Sequence, residues 1–316
     1  MDGRLYGLDA LRGIAAVVVV AYHIVHIFEL WDWDFPGYLA VDFFFMLSGY
    51  VMARTYEDRL QSGMAVRSFI RVRVRRLWPT VALGVLLGTP VLFIEYPDVW
   101  TLYLVANLFL VPVFAKFAYP ANNPAWSILA ELFANFIHAL VLARASTAAL
   151  WVAVGASFTF LLVMAYLAGS LDFGATAALL PFALPRILMP YAIGIIMYRT
   201  WRDTPPFSLH PAVTISILPA LILLIPSAVG DLLFVVAACP LLMIGGLSWR
   251  PQSIQMASIA GGMSFPLYAI HYPLLDAARF WPWTVAFIPV LLVGMTPELR
   301  RYLVKPRKLS LRRLPK

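Results

Sequence analysis

Leu8–Phe28 reads L-D-A-L-R-G-I-A-A-V-V-V-V-A-Y-H-I-V-H-I-F. The stretch is long and apolar enough to cross the roughly 30 Å hydrocarbon core of a bilayer as one helix. It also carries Asp9, Arg12, His23 and His26. Ionisable groups inside a membrane helix are costly and mark functional paths. Arg12 and His23 are eleven residues apart, about three helical turns with a residual rotation of roughly 20°, so they share one face about 16 Å apart along the axis. Asp9 and His26 lie three residues outside that pair on nearly the same face. A polar stripe therefore runs through most of an otherwise apolar helix.

The rest of the chain agrees with a membrane reading. Of 316 residues, 62% are hydrophobic and 13% charged, and the mean hydropathy is +0.81. A soluble domain of that length has about 25% charged residues. The first stretch is too long, and too polar along its length, for a cleaved signal peptide, so it reads as a permanent span. One cysteine, Cys239, excludes an intramolecular disulfide. The net charge of +8 is gathered in short basic segments that record an inner face, and is not a nucleic-acid signal. No convincing repeat appears, nor a phosphate-binding or dinucleotide glycine pattern, nor a histidine–carboxylate spacing suited to a metal.

The expected fold is an all-α polytopic membrane protein of about ten transmembrane helices. One additional re-entrant or interfacial segment falls near 100–119, and both termini are cytoplasmic. The expected spans are Tyr6–Phe28, Tyr38–Thr55, Leu77–Glu95, Ala125–Ala143, Ala148–Ala168, Ala177–Tyr198, Pro211–Val229, Leu232–Leu247, Gly262–Phe280 and Trp283–Leu303. Arg54, Arg59, Arg67, Arg71, Arg73, Arg75 and Arg76 place the second connection inside and the loop with Trp31 and Trp33 outside. If 100–119 spanned, Arg144, the R-T-W-R segment at 199–202 and the basic tail would all fall outside, against the positive-inside rule. Residues 1–303 form the membrane domain, and 304–316 a basic cytoplasmic tail suited to anionic lipid head groups.

Several side chains are candidates for chemistry. Alone, Arg12 reads as a snorkelling anchor and His23 as a hydrogen-bonded interfacial histidine. Together on one face they pair a base with an anion clamp, suited to a long anionic molecule lying along the helix. Asp42, at the outer end of V-D-F-F-F-M-L-S-G-Y, is at a depth to orient His23, or simply faces water. Ser48-Gly49 suits close helix approach and has no adjacent base. Arg75 and Arg76 precede Leu77-Trp78-Pro79, either as a phosphate site or as topology markers. In N-N-P-A-W-S-I-L-A-E-L-F, Glu131 needs a partner or a wet cavity, Trp126 reads as an interfacial anchor, and Ser127 is a further candidate. In M-S-F-P-L-Y-A-I-H-Y-P-L-L, Tyr268 and His271 share a face, while Pro266 and Pro273 free carbonyls. His271 reads as a core hydrogen bond or as catalytic.

These motifs, in this order from Leu8 to about Pro273, resemble the membrane acyltransferase family 3. L-D-A-L-R-G-I-A-A with His23 is similar to its opening signature, an arginine and a histidine with ten residues between. The V-D-F-F-F-M-L-S-G-Y, R-V-R-R-L-W-P, W-S-I-L-A-E-L-F and S-F-P-L-Y-A-I-H-Y-P runs resemble later motifs. The resemblance implies acyl transfer at a bacterial inner membrane from cytoplasmic acyl-CoA, usually acetyl-CoA, to a hydroxyl of a glycan, glycolipid or exported carbohydrate. It implies His23 as the essential histidine and Arg12 as the essential arginine; the mechanism expected on that footing has His23 as the base, oriented by Asp42 or Glu131. Arg12, Arg75 and Arg76 would hold the donor's phosphates. Asp9 becomes the ion-pair partner of Arg12, and His26 a secondary candidate. No permanent cofactor is implied; the expected partners are acyl-CoA, the acceptor, membrane lipids and polysaccharide-assembly proteins. Some members of the family carry an extracytoplasmic hydrolase-like domain. The expectation without one is direct transfer, or transfer through a separate protein. The competing expectations are a transporter or flippase of a polysaccharide precursor, and a structural partner in an assembly complex.

Overall fold

The computed structural model describes residues 3–31 and 35–304, without the Val304 side chain. Trp33 and the tail at 305–316 lie outside the described residues. Every regular element among those described is helical. In chain order they are α1 Tyr6–Phe28, α2 Ala40–Gln61, α3 Val66–Leu87, α4 Thr89–Glu95, α5 Trp100–Leu108 and α6 Ala125–Ile137, which runs on through a π-turn at His138–Leu142. There follow α7 Thr147–Ala168, α8 Leu180–Trp201, α9 Pro211–Ser216, α10 Ala228–Leu233, α11 Cys239–Ser248, α12 Ile254–Ala277, α13 Phe287–Met295 and α14 Pro297–Val304.

Among the described residues, five helical stretches are long and apolar enough to cross a membrane: Tyr6–Phe28, Ala125–Leu142, Thr147–Ala168, Leu180–Trp201 and Ala228–Ser248. Two bent pairs raise the number to seven, α3 with α4 at 45° and the 282–295 segment with α14 at 93°. Helices α2 and α12, at 22 and 24 residues, are equally long but carry more polar side chains. Besides Leu77–Glu95, bent between α3 and α4, two expected spans are broken. The 211–229 segment is α9 followed by a 3₁₀ turn at Pro219–Leu223, because Pro219 and Pro226 have no N–H to continue a helix. The 283–303 segment turns at Thr296, which Pro297 holds in the extended region (φ −112°, ψ 98°). In 100–119 only α5 is regular, and its nine residues reach about 14 Å, half the hydrocarbon thickness.

The contacts order the helices end to end. At one end Arg54 bonds the Gly3 carbonyl at 2.8 Å and Asp203 at 2.7 Å, and Arg4 lies 4.0 Å from Glu298. At the other end Tyr38 donates to Asp231 at 2.6 Å, and Arg279 reaches Glu95 at 2.7 Å. There the Ala118 N–H also donates to the Ala175 carbonyl at 2.8 Å. Helices α1, α3 and α12 therefore run one way, and α2, α6 and α8 the other. Helices α2 and α8 touch backbone to backbone. Gly49 lies against the Tyr191 carbonyl and Gly194 against the Met46 carbonyl, where any Cβ would collide. Small residues at such crossings let membrane helices pack closely.

Between α2 and α8 lies a fully buried ion pair. Arg186 donates to Asp42 at 2.8 and 3.2 Å, to the Phe173 carbonyl at 2.9 Å and to the Tyr38 carbonyl at 3.2 Å. Its guanidinium also stacks over Tyr38 and Trp126 at 5.6 and 5.5 Å. Removing one partner of a buried pair costs about 3–5 kcal/mol because the other charge stays stranded. Asp42→Ala should therefore lower the detergent-solubilised protein's unfolding midpoint sharply. A double Asp42→Leu/Arg186→Met variant should recover most of the loss; thermal denaturation of the three proteins checks this.

Candidate active site

Helix α1 is the spine of the site, and its two polar ends have different neighbours. At the lower end Asp9 pairs with Arg4 at 2.6 Å and with Arg12 at 3.5 Å. Arg12 is half-buried and faces a cavity enclosed by α1, α2, α3, α6 and α12. Arg73 and Arg76 of α3 face the same cavity, with Ser48, Glu131, Ser127, Ser264 and Tyr268 as its other polar lining. Phe44, Phe45, Leu77 and Phe265 make the rest of it apolar. The cavity volume of about 120 Å³ holds on the order of ten waters.

Three guanidinium groups meet two carboxylates here, so the mouth keeps an excess of positive charge. Glu131 accepts from Arg73 at 2.7 Å and from Ser48 at 2.8 Å. Arg76 has no acid within ion-pair distance among the described residues. Arg75 is exposed and does not line the cavity. The helical repeat explains the difference: residues 73 and 76 are three apart and share a face, while 75 points about 100° away from 76. Of the expected pair Arg75 and Arg76, only Arg76 reaches the cavity, and Arg73 stands beside it.

The cavity ends at Tyr268. Ser127 lies 2.6 Å from the Tyr268 hydroxyl and donates to the Pro124 carbonyl at 2.8 Å. With the serine proton committed to a carbonyl, Tyr268 is the donor between the two. The Tyr268 ring stands 6.0 Å from the His271 ring, and His271 meets His23, Nε2 to Nδ1, at 3.0 Å. Tyr272 closes the other side of His23 with its ring edge-on at 5.1 Å. His23 itself is half-buried and stands one ring beyond the cavity wall.

The expected orienting carboxylates are elsewhere. Asp42 is consumed by Arg186, and Glu131 by Arg73 and Ser48, so neither holds the His23 ring. His271 does. Trp126 is also not an interfacial anchor: it is 7% exposed, packed between Arg186 and Phe45. His26 is exposed and stacks on Tyr22, whose hydroxyl donates to Asp172 at 3.1 Å.

Proline chemistry positions α12 at this point. Pro273 has no N–H to offer the Ala269 carbonyl, and Asn122 takes that carbonyl at 2.9 Å. Gly84 of α3 packs directly on the same carbonyl, with no room for a Cβ. The freed carbonyl thus ties α12 to both α3 and the turn before α6. Arg73, Asn122 and Arg186 were not singled out as site residues. For Arg186 the signal was present, a charge inside an apolar run; for Arg73 it was the three-residue spacing to Arg76.

Comparison with known proteins matches residues 5–297 to the family model described as an acyltransferase domain. Protein 2 of the picA locus of Rhizobium radiobacter is 32% identical over 166 residues, covering 45% of this chain and 85% of that protein. A Staphylococcus aureus (strain COL) protein, provisionally named an O-acetyltransferase, is 28% identical over 142 residues, 40% of this chain and 22% of that one. The peptidoglycan O-acetyltransferase OatA of Listeria monocytogenes is 38% identical over 77 residues, 23% of this chain and 11% of that one. The chain therefore matches only a minor part of the last two relatives. No solved structure matches it.

Proposed function

The chain belongs to acyltransferase family 3, and on that premise we propose that it moves an acetyl group from acyl-CoA to a carbohydrate hydroxyl across a bacterial inner membrane. The observation that carries this reading is a cavity with Arg12, Arg73 and Arg76 at one end and Tyr268 at the other, one ring from the paired histidines. Its charge and apolar lining suit an acyl-CoA. Guanidinium groups take phosphates in forked, charge-assisted hydrogen bonds, and an apolar bore suits an extended arm. The nucleotide stays outside the arginine rim, and the thioester passes Tyr268 towards His23.

At the far end His23 is the general base. The acceptor oxygen bonds to the thioester carbonyl carbon as its proton passes to His23. The C–S bond then breaks, and the departing thiolate takes that proton back. The products are an ester and free CoA. The acceptor reading leans on the name of the Listeria relative, which specifies peptidoglycan, and on His23 being only half-buried. Family membership leaves the transport alternative without support.

The helix directions support a ten-pass arrangement with both ends of the described chain on one face. Arg54, Gly3, Asp203, Arg4 and Glu298 gather there. The basic segments at 67–76 and 199–202 belong to the same side, which the positive-inside rule makes cytoplasmic. Acyl-CoA would enter from that side and the acceptor from the other. Anionic lipids and polysaccharide-assembly proteins complete the proposed partners.

Three variants test the roles in purified protein supplied with labelled acetyl-CoA and a glycan acceptor. His23→Ala should fold and lose about 10²–10⁴-fold in transfer; retained transfer would remove the base assignment. Arg12→Ala should raise the apparent KM for acetyl-CoA with a smaller effect on the acceptor. Arg75→Ala should behave as the parent protein, since its side chain faces away from the cavity.

A further inference from the structure

We propose that His271 is a positioning residue that fixes the tautomer of His23 and aims its Nε2 lone pair at the acceptor hydroxyl; this rests on His23 being the base. The inference follows from three nitrogen contacts. His271 Nδ1 lies 3.0 Å from the Leu267 carbonyl, one turn back on α12. A carbonyl oxygen only accepts, so His271 carries its proton on Nδ1. Its Nε2 is then the ring's acceptor nitrogen. That atom lies 3.0 Å from His23 Nδ1, so His23 must supply the proton between them. The same His23 Nδ1 lies 3.0 Å from the Val19 carbonyl, which independently requires a proton on that nitrogen.

The three contacts are thus satisfied together by one arrangement. Both rings are neutral and both carry Nδ1–H. The His23 N–H is shared between the Val19 carbonyl and His271 Nε2. The only nitrogen left with a free lone pair is His23 Nε2. The opposite tautomer of His23 would face lone pair to lone pair at His271 and lose the Val19 contact as well. A proton on His271 Nε2 would set N–H against N–H.

His271 does here what a carboxylate does in a serine–histidine–aspartate site. It selects the nitrogen that stays bare and holds the ring plane. It also accepts a hydrogen bond that strengthens once the base is protonated, since hydrogen bonds from a charged donor are the stronger kind. A neutral imidazole achieves this without a second buried charge, which a low-dielectric setting makes expensive. Outer-shell partners of this kind commonly alter function about 10–100-fold when removed.

The test uses the full chain, labelled with ring-¹⁵N histidine and held in lipid nanodiscs. Only five histidines contribute signals, and His23→Ala and His271→Leu assign the two of interest. The expected spectrum shows protonated Nδ1 and bare Nε2 on both rings. In His271→Leu the His23 ring should redistribute towards Nε2–H. Its kcat for acetyl transfer should fall about 10–100-fold with the KM for acetyl-CoA unchanged. His271→Gln, whose amide oxygen can stand near the Nε2 position, should recover a large part of kcat. A wild-type His23 that carries Nε2–H overturns the inference whatever the activity. So does an unchanged His23 spectrum in His271→Leu. Full transfer by His23→Ala would instead overturn the base assignment, and with it the catalytic role of His271, while the spectrum still reports the ring pairing.

Discussion

Arg186 is a permanent charge with no exposed surface, and much of the bundle is arranged to accommodate it. Asp42 supplies the countercharge, two backbone carbonyls take two further donors, and Tyr38 and Trp126 offer aromatic faces. Those partners come from α2 and the turn before it, the 169–179 loop and the start of α6. Satisfying one guanidinium of α8 therefore ties that helix to three other segments. Trp126 precedes Ser127, so the segment clamped over Arg186 also carries a polar wall of the cavity. The ion pair's role is positional. A buried pair gains little net stability over apolar packing, but neither charge can leave without stranding the other.

The polar stripe on α1 is handled in the same way, one neighbour at a time. Its lower half is neutralised in part by Asp9 and otherwise collected with two arginines of α3. The upper half is matched ring to ring by α12. Helices α1 and α12 run side by side in the same direction, with Gly13 against Ala260 and His23 against His271. The prolines of α12 add a second constraint. By withholding an N–H from Ala269, Pro273 leaves a carbonyl that Asn122 takes and Gly84 packs upon. A helix defect thereby becomes a joint between α12, α3 and the turn before α6.

Much of this was legible in the residues. Helical character, membrane burial, the Arg12–His23 stripe and the family follow from hydropathy, the 3.6-residue repeat and the order of motifs. So does the helix face shared by Arg73 and Arg76, once the repeat is applied. Continuity of the spans is less legible. Hydropathy counts apolar residues and is blind to a missing N–H, so 211–229 and 283–303 read as spans although proline interrupts both.

The sequence by itself determined which residues are chemically unusual, because cost in a membrane depends on residue type and depth. Which of them meet was decided only in the folded bundle. Asp42, Glu131 and His271 are all plausible partners for His23 by depth. Two of them are taken by Arg186 and Arg73, and His271 alone remains at 3.0 Å from the ring. Partner choice depends on helix rotation and direction, and on which competing charge is nearer. Those quantities come from packing between helices up to 248 residues apart, where no local pattern in the chain can express them.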